Sequence, residues 1–303
     1  MPSLKSLKTR IASVKSTQKI TKAMKMVAAA KLKRAQLMAE SSRPYATALN
    51  RLITSFESQI QGSAAPRLLA GTGRSDTHLI IVTTSERGLC GALNSNICKE
   101  AYKRIDQLTA DGKKVKIVTI GRKGHVLMKR NYNDKVVHNF DVSQVRNVNY
   151  NDIQPIASWI LSAFDSGEFD VAWLFYARFQ SALTQLPTCQ QLIPVTSGIE
   201  FNEESKDGDG KDKKKTHVAQ AIGYEPDEET ILNALVPRNI RFRILRALLE
   251  NAASEQGARM TAMDNATRNA GDMIDRLTLQ YNRSRQAAIT KELIEIISGA
   301  EAL

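Results

Sequence analysis

A glycine-containing turn, SERGLCGALN, stands between a predicted strand and a predicted helix and places Gly88 and Gly91 together. Free amides at such a turn can bind phosphate, so a dinucleotide site is the first chemistry to consider. The dinucleotide fingerprint needs three glycines spaced G-x-G-x-x-G, however, and a P-loop ends in a Lys-Ser/Thr pair. The turn matches neither pattern, and its spacing favours a structural role.

The remaining residues that could do chemistry are scattered. The histidines are isolated from one another and from other reactive groups: His78, His125, His138 and His217. Cys90, Cys98 and Cys189 are too few and too far apart for a disulfide framework or a metal site, which is typical of structural thiols in a reducing compartment. We therefore expect no catalytic centre, no cofactor and no metal in this chain.

Positive charge is concentrated at the start of the chain, which has a net charge of +12. Ten basic residues precede the first acidic one, Glu40: Lys5, Lys8, Arg10, Lys15, Lys19, Lys22, Lys25, Lys31, Lys33 and Arg34. This pattern fits either a solvated helix face or attraction to an acidic partner, which would be nucleic acid or carboxylates on another protein. No aromatic residue precedes Tyr45, so the segment has no platform for stacking bases.

Two long helices are predicted at the ends of the chain. Residues 237–303 repeat small or apolar residues at helical spacing without an internal proline, which predicts a helix on the order of 95 Å long. The first 58 residues or so supply its partner, because apolar residues recur at alternating spacings of three and four. That seam comprises Leu4, Leu7, Ile11, Val14, Leu32, Ala35, Ala39, Ala46, Leu49, Ile53, Phe56 and Ile60.

The N-terminal seam has one predicted interruption. Its frame meets the polar residues Gln18, Thr21 and Lys25, while Ile20, Met24 and Val27 offer an apolar face instead. This pattern predicts a local change of packing partner. A second irregularity, Pro44, predicts a kink in a helix that continues to about Phe56.

The middle of the chain alternates predicted strands and helices. HLIIVTTS and KVKIVTIG are apolar and rich in β-branched residues, as expected for buried strands, and helical segments follow them. This alternation predicts an α/β fold with a mainly parallel, Rossmann-like sheet between the coiled-coil ends. The expected organisation is an N-terminal coiled-coil helix (1–60), an α/β domain (75–200), a charged insertion with a foot loop (201–230) and a C-terminal coiled-coil helix (231–303).

Several separate motifs resemble one known family in that family's own order. They are IASVKSTQKITKAMKMVAAAKLKRAQ near the start, the turn SERGLCGALN, YEPD at 224–227 and the whole stretch from 250 to 303. This chain is similar to the gamma subunit of F-type ATP synthase from end to end. The last stretch is the most specific, because it is long, ungapped and of mixed composition.

The resemblance implies a rotor. The two terminal helices would form an antiparallel shaft inside a hexamer of alpha and beta subunits (alpha3beta3), above a Rossmann-like domain that meets the epsilon subunit and the membrane c-ring. Turning of the shaft would couple proton flow to ATP synthesis or hydrolysis. Catalytic residues and nucleotide would belong to the hexamer, which agrees with the lack of a catalytic set here.

The resemblance also implies roles for particular residues. Contacts with the mobile part of the beta subunit would involve residues of both helices: Met24, Arg259, Arg285, Gln286 and Thr290. Apolar residues near the C-terminus would turn in a sleeve at the top of the hexamer as a bearing: Ile294, Ile296, Ile297 and Leu303. Tyr224 and Glu225 of YEPD would meet polar loops of the membrane ring, although a plain turn is the alternative interpretation.

The N-terminal segment and the short apolar runs bear on where the protein is located. The start MPSLKSLKTRIASVK lacks an Arg-rich transit segment, which favours a bacterial protein on the cytoplasmic side of the inner membrane over a processed mitochondrial chain on the matrix side. Apolar runs are much shorter than the ~20 residues of a membrane span, so no direct membrane insertion is expected. The alternatives to the rotor are a basic coiled-coil nucleic-acid-binding or scaffold protein and a nucleotide-binding enzyme.

Overall fold

The structure, a computed structural model, describes residues 3–59, 66–145, 148–195 and 228–301. These ranges contain six helices: α1 (Leu4–Gln59), α2 (Arg67–Ala70), α3 (Leu93–Ala110), α4 (Arg122–Tyr132), α5 (Tyr150–Asp165) and α6 (Glu228–Glu301). They also contain five strands: β1 (Thr77–Thr83), β2 (Lys114–Ile120), β3 (Val136–Phe140), β4 (Val171–Phe179) and β5 (Gln185–Ile193). The insertion at 203–215 and the YEPD motif lie outside the described residues.

The five strands form one mixed sheet in the order β3-β2-β1-β4-β5. The pairs β3-β2, β2-β1 and β1-β4 are parallel, whereas β5 returns antiparallel to β4. Helices cover both faces of the sheet, which is why central β1 reads THLIIVT and buries every residue after the first. The predicted α/β fold with a mainly parallel sheet is confirmed.

Strand β4 extends beyond its neighbour β1. Its pairing with β1 ends at Phe175, but its pairing with β5 continues to Phe179. The last part of β4 therefore has a strand on one side only. The backbone groups on its other side need different hydrogen-bonding partners.

The sheet separates two apolar cores. Helices α3 and α4 close one core, around Ile97, Ile105 and Met128. Helices α5 and α6 close the other with part of α1, around Ile160, Phe164 and Ile240. Helix α6 is thus both a layer of the α/β domain and half of the terminal coiled coil.

Both terminal helices continue through a proline. Helix α1 passes Pro44 and ends at Gln59, close to the predicted end near Phe56. Helix α6 begins at Glu228, close to the predicted start at 231 and about two and a half turns before Pro237, where the proline-free stretch starts. Leu232 and Val236 are fully buried in the domain core, and this packing extends the helix across the proline.

The coiled-coil seam of α1 is continuous where the sequence predicted an interruption. Ile20 and Val27 are 57% and 56% exposed, and Met24 is only half-buried. The frame residue Thr21 is buried, with 8% of its surface exposed, and Gln18 and Lys25 are half-buried beside it. The predicted change of packing partner was therefore wrong.

Polar partners on α6 explain why the seam continues. Thr21 Oγ1 lies 2.8 Å from Thr267 Oγ1, and Lys25 Nζ lies 2.5 Å from Asp264 Oδ1. The seam thus satisfies its polar side chains across the two helices. It also fixes their register, because each of these contacts exists at one alignment only.

Substitutions at two neighbouring residues of α1, one buried and one exposed, can test this register. Ala28 is 1% exposed in the seam, whereas Val27 faces solvent. We predict that Ala28→Glu lowers the free energy of unfolding by about 2 kcal/mol or more, because it buries a carboxylate. Val27→Glu should change it by less than about 0.5 kcal/mol. Chemical denaturation of the two variants checks this, and equal losses would contradict a continuous seam.

His78 is a buried histidine with two fixed hydrogen bonds. Trp173 Nε1 donates to His78 Nδ1 at 3.2 Å, and His78 Nε2 lies 3.2 Å from the carbonyl oxygen of Ser75. An indole N–H can only donate, so Nδ1 must be unprotonated and Nε2 must carry the proton. Burial lowers the pKa of His78 from its ordinary value of 6.5, and the nearby Arg104 and Lys113 lower it further.

This lowered pKa predicts a loss of stability in acid. Below pH 6.5 the unfolded chain takes up a proton at His78 before the folded chain does, so folding stability falls as pH falls toward the lowered pKa. In His78→Gln, the urea midpoint should fall less than in the wild type between pH 7.5 and about pH 5. Parallel curves for the two proteins would contradict the assignment.

Candidate functional site

The turn after β1 is held by its own side chains. Ser85 N donates to Asn94 Oδ1 at 3.0 Å, and Asn94 Nδ2 donates to Ser85 Oγ at 2.7 Å. Ser85 Oγ in turn donates to the carbonyl oxygen of Arg87 at 2.7 Å, and Cys90 Sγ lies 3.3 Å from Asn94 Nδ2. These buried groups satisfy one another, which supports a structural turn rather than a phosphate loop.

Glycines permit a close approach between β1 and the turn after β2. Gly124 N donates to Thr84 Oγ1 at 2.8 Å. Gly121 has φ +99°, and a Cβ at that position would lie 2.3 Å from the carbonyl oxygen of Thr84. The segments that follow β1 and β2 are therefore packed directly against each other.

Two glycines with positive φ provide a matched test. We predict that Gly121→Ala lowers the free energy of unfolding by about 3 kcal/mol or more, because the added Cβ meets backbone. Gly112 has φ +72° and nothing within 4 Å of a built Cβ, so Gly112→Ala should cost only about 1 kcal/mol. Urea denaturation measures both, and similar values would disprove the close approach.

Helix α6 passes over the point where the strand order reverses. In open α/β sheets this crevice, here between the ends of β1 and β4, is the usual ligand site. Glu250 Oε2 accepts from Phe179 N at 3.0 Å, and Ser254 Oγ donates to the carbonyl oxygen of Ala177 at 2.9 Å. The protein's own helix thus runs along this crevice and binds the unpaired backbone of β4.

Arg259 joins α6 to the glycine turn. Its guanidinium lies 2.5 Å from Glu255 Oε1 and donates to the carbonyl oxygen of Gly88 at 3.3 Å. Only 12% of the side chain is exposed, so its contacts in the described residues are largely internal. The neighbouring Leu89 has φ +65° and is 60% exposed, a strained apolar tip that sequence reasoning missed.

The five residues expected to contact another subunit do not form one cluster. Lys25 contacts Asp264, so Met24 lies within about two turns of Arg259 along the shaft. Arg285, Gln286 and Thr290 are exposed about 39 Å or more farther along α6. The structure therefore separates two groups. The lower group, beside the domain, is Met24 and Arg259, and the upper group, near the far end of the shaft, is Arg285, Gln286 and Thr290.

Just before the upper group, α6 passes the described end of its partner helix α1. Thr21 lies opposite Thr267, which places Leu4, the first helical residue of the described part of α1, near 284 of α6. Ile294, Ile296 and Ile297 lie past that level and are 58%, 67% and 57% exposed. Leu303, Tyr224 and Glu225 lie outside the described residues.

The described residues bear on two further properties, metal binding and membrane spanning. Across the described ranges, no His, Cys, Asp or Glu residues come together in threes in a way that could hold a metal ion. No helix in those ranges is long and apolar enough to span a bilayer. The exposed features that can engage a partner include the upper group on the shaft and the apolar end of α6.

Comparisons with known proteins agree along the whole chain. A family model described as ATP synthase matches residues 3–303. The ATP synthase gamma chain of Rhizorhabdus wittichii is 56% identical over 304 residues and covers 100% of both chains. That of Paracoccus denitrificans is 57% identical, again covering 100% of both.

Solved structures share the fold at lower identity. A chain of the Euglena gracilis mitochondrial ATP synthase, in a structure of OSCP, F1 and c-ring, superposes with a TM-score of 0.67 and 21% identity. That match covers 99% of this chain and 94% of the other. A rotor chain of the same organism's enzyme gives 0.63 and 19%, covering 94% and 98%.

Proposed function

The chain belongs to the ATP synthase gamma chain family, and from that premise we propose how its parts divide the work of a rotary motor. It is the central stalk subunit of an F-type ATP synthase and is not catalytic by itself. It couples proton flow to ATP synthesis or hydrolysis. The observation that carries this conclusion is the full-length match to gamma chains at 56% and 57% identity.

The shaft is asymmetric in a way that suits this work. Helices α1 and α6 pair along one seam, so neither the charge of α1 nor the exposed groups of α6 repeat around the axis. Inside a ring of alternating alpha and beta subunits (alpha3beta3), a turning asymmetric shaft meets each beta subunit in a different way. That difference would drive each catalytic site in turn through its open and closed forms.

The upper group supplies polar contacts to the beta subunit. Gln286 and Thr290 are one helical turn apart, and Arg285 adjoins them with its guanidinium free to pair with carboxylates. At the lower level, Met24 contributes an apolar contact, and Arg259 contributes through the turn it holds. The lysines of α1 face acidic loops of the hexamer, which accounts for the positive charge without nucleic acid.

The end of α6 acts as a bearing. Ile294, Ile296 and Ile297 are exposed around a helix that has lost its partner. Exposed apolar side chains suit an apolar sleeve, where contacts without directional bonds allow rotation. Leu303 completes this surface in the proposal.

The foot of the rotor and its cellular setting belong to the same proposal. Tyr224 and Glu225 meet polar loops of the c-ring, and the epsilon subunit binds the α/β domain. The gamma chains that this chain resembles come from bacteria, so we place it on the cytoplasmic side of the inner membrane as a peripheral subunit. Family membership does not support the alternative of a nucleic-acid-binding or scaffold protein.

Native mass spectrometry of the complex purified gently with a tagged chain tests this function. The expected result is one copy of the chain with three copies each of two nucleotide-binding subunits, as a shaft on the axis of a threefold ring requires. A free chain, or one that carries nucleic acid, would contradict it.

We predict that the Gln286→Ala, Thr290→Ala double variant lowers ATP-driven proton pumping or slows turnover. Both residues are exposed, so the change should cost less than about 0.5 kcal/mol of folding stability. The matched control is Thr278→Ala with Asn282→Ala, which alters two exposed residues two turns earlier on α6. Normal pumping and normal hydrolysis in the first variant would remove these residues from the mechanism.

A further inference from the structure

Helix α6 is fastened to the sheet by a set of directional hydrogen bonds, here called the polar latch. It comprises Glu250, Asn251, Ser254 and Thr261 of α6, which bind backbone of β4 and the following hairpin. Beyond the two bonds already described, Asn251 Oδ1 accepts from Ala177 N at 3.4 Å. Thr261 Oγ1 donates to the carbonyl oxygen of Ala182 at 3.0 Å.

Spacing shows that the polar latch occupies one face of the helix. Residues 250, 254, 257 and 261 follow the alternating four-and-three spacing of a single helical stripe. At 257 the residue is glycine, and a built Cβ there would lie 3.3 Å from Phe179 Cε2 and 3.4 Å from Ala182 Cα. The glycine therefore allows the helix to approach the hairpin closely, and the hydrogen bonds of the stripe hold it at that distance.

Burial makes these bonds costly to break. Glu250 and Asn251 are each 4% exposed, and Ser254 is fully buried. If α6 turned about its axis relative to the sheet, the backbone groups of β4 would lose their partners without reaching water. The apolar contacts of α6 with the domain core have no such directionality.

We propose that the polar latch is the joint that transmits torque between the α/β domain and the shaft. The inference rests on the proposed rotor function. Torque that enters at the foot must reach the upper group through α6, and the latch makes the helix and the sheet turn as one body. Its residues are positioning residues, because they touch neither nucleotide nor the reacting protons.

The test uses the complete enzyme in sealed vesicles with the triple variant Glu250→Leu, Ser254→Ala, Thr261→Val. These changes remove the three shorter hydrogen bonds of the polar latch and leave that of Asn251, while they roughly keep side-chain volume. Assembly and hydrolysis in detergent should persist, while the ratio of proton pumping to hydrolysis should fall at least about three- to tenfold, the scale of one net hydrogen bond. Glu250→Gln keeps an acceptor for Phe179 N and should pump almost normally.

A variant that assembles and pumps at the wild-type ratio would overturn the proposal. If the triple variant fails to assemble, a disulfide decides the question instead. A Cβ at 257 would lie 3.4 Å from Ala182 Cα, so Ala182→Cys with Gly257→Cys is the pair to oxidise across the latch, and each single variant serves as its control. If the disulfide forms and proton pumping stays fully coupled to hydrolysis, α6 and the sheet turn as one body, as proposed. If the disulfide blocks rotation, α6 must normally move relative to the sheet, which would contradict the proposal.

The two proposals fail in different ways. Wild-type chain that does not assemble with nucleotide-binding subunits refutes the rotor function itself. Normal assembly and coupling in both the wild type and the triple variant refutes the latch alone.

Discussion

The last residues of β4 extend beyond β1, so their backbone groups need partners that no described strand supplies. Glu250, Asn251 and Ser254 of α6 meet this need. Because the same helix continues into the coiled coil, satisfying the sheet edge also fixes where the shaft leaves the domain. The architecture thus depends on one helix that substitutes for a strand at one level and pairs with α1 at the next.

The burial of α6 changes along its length, from the α/β domain to the coiled coil. Within the domain it is buried on most sides, as Leu232, Ile244 and Ala253 illustrate. Farther along it buries a single stripe against α1, and past the level of Leu4 its apolar residues are exposed. One continuous helix can therefore be anchored in the domain, pair with α1 in the shaft and present an exposed apolar surface at its end, because its neighbours differ along its length.

Patterns that depend on local spacing were predictable from the sequence. The strands, the alternation with helices and the two long terminal helices follow from periodicity, and the glycine spacing favoured a structural turn. What the sequence did not reveal were contacts between distant segments. Polar Gln18, Thr21 and Lys25 suggested a break because Thr267 and Asp264, some 240 residues later, could not be placed opposite them.

The candidate site also combines features that local spacing predicts with contacts between distant segments that it does not. Exposure of Gln286, Thr290 and the isoleucines follows from the resemblance and from helix geometry, whereas the internal engagement of Arg259 depends on its approach to Gly88. Leu89 carried no sequence signal, because a strained backbone at a non-glycine residue has none. The latch residues were likewise hidden, since polar residues on a long helix ordinarily suggest a solvated face.

Single-molecule observation of rotation tests the central claim most directly. Leu183 is 79% exposed on the hairpin after β4, so Leu183→Cys in a Cys189→Ser background offers a site for a bead on the α/β domain. With the hexamer fixed to a surface and ATP supplied, the account predicts rotation in one direction with pauses about 120° apart, as a threefold ring requires. A bead that stays in place while the same complexes hydrolyse ATP would contradict it.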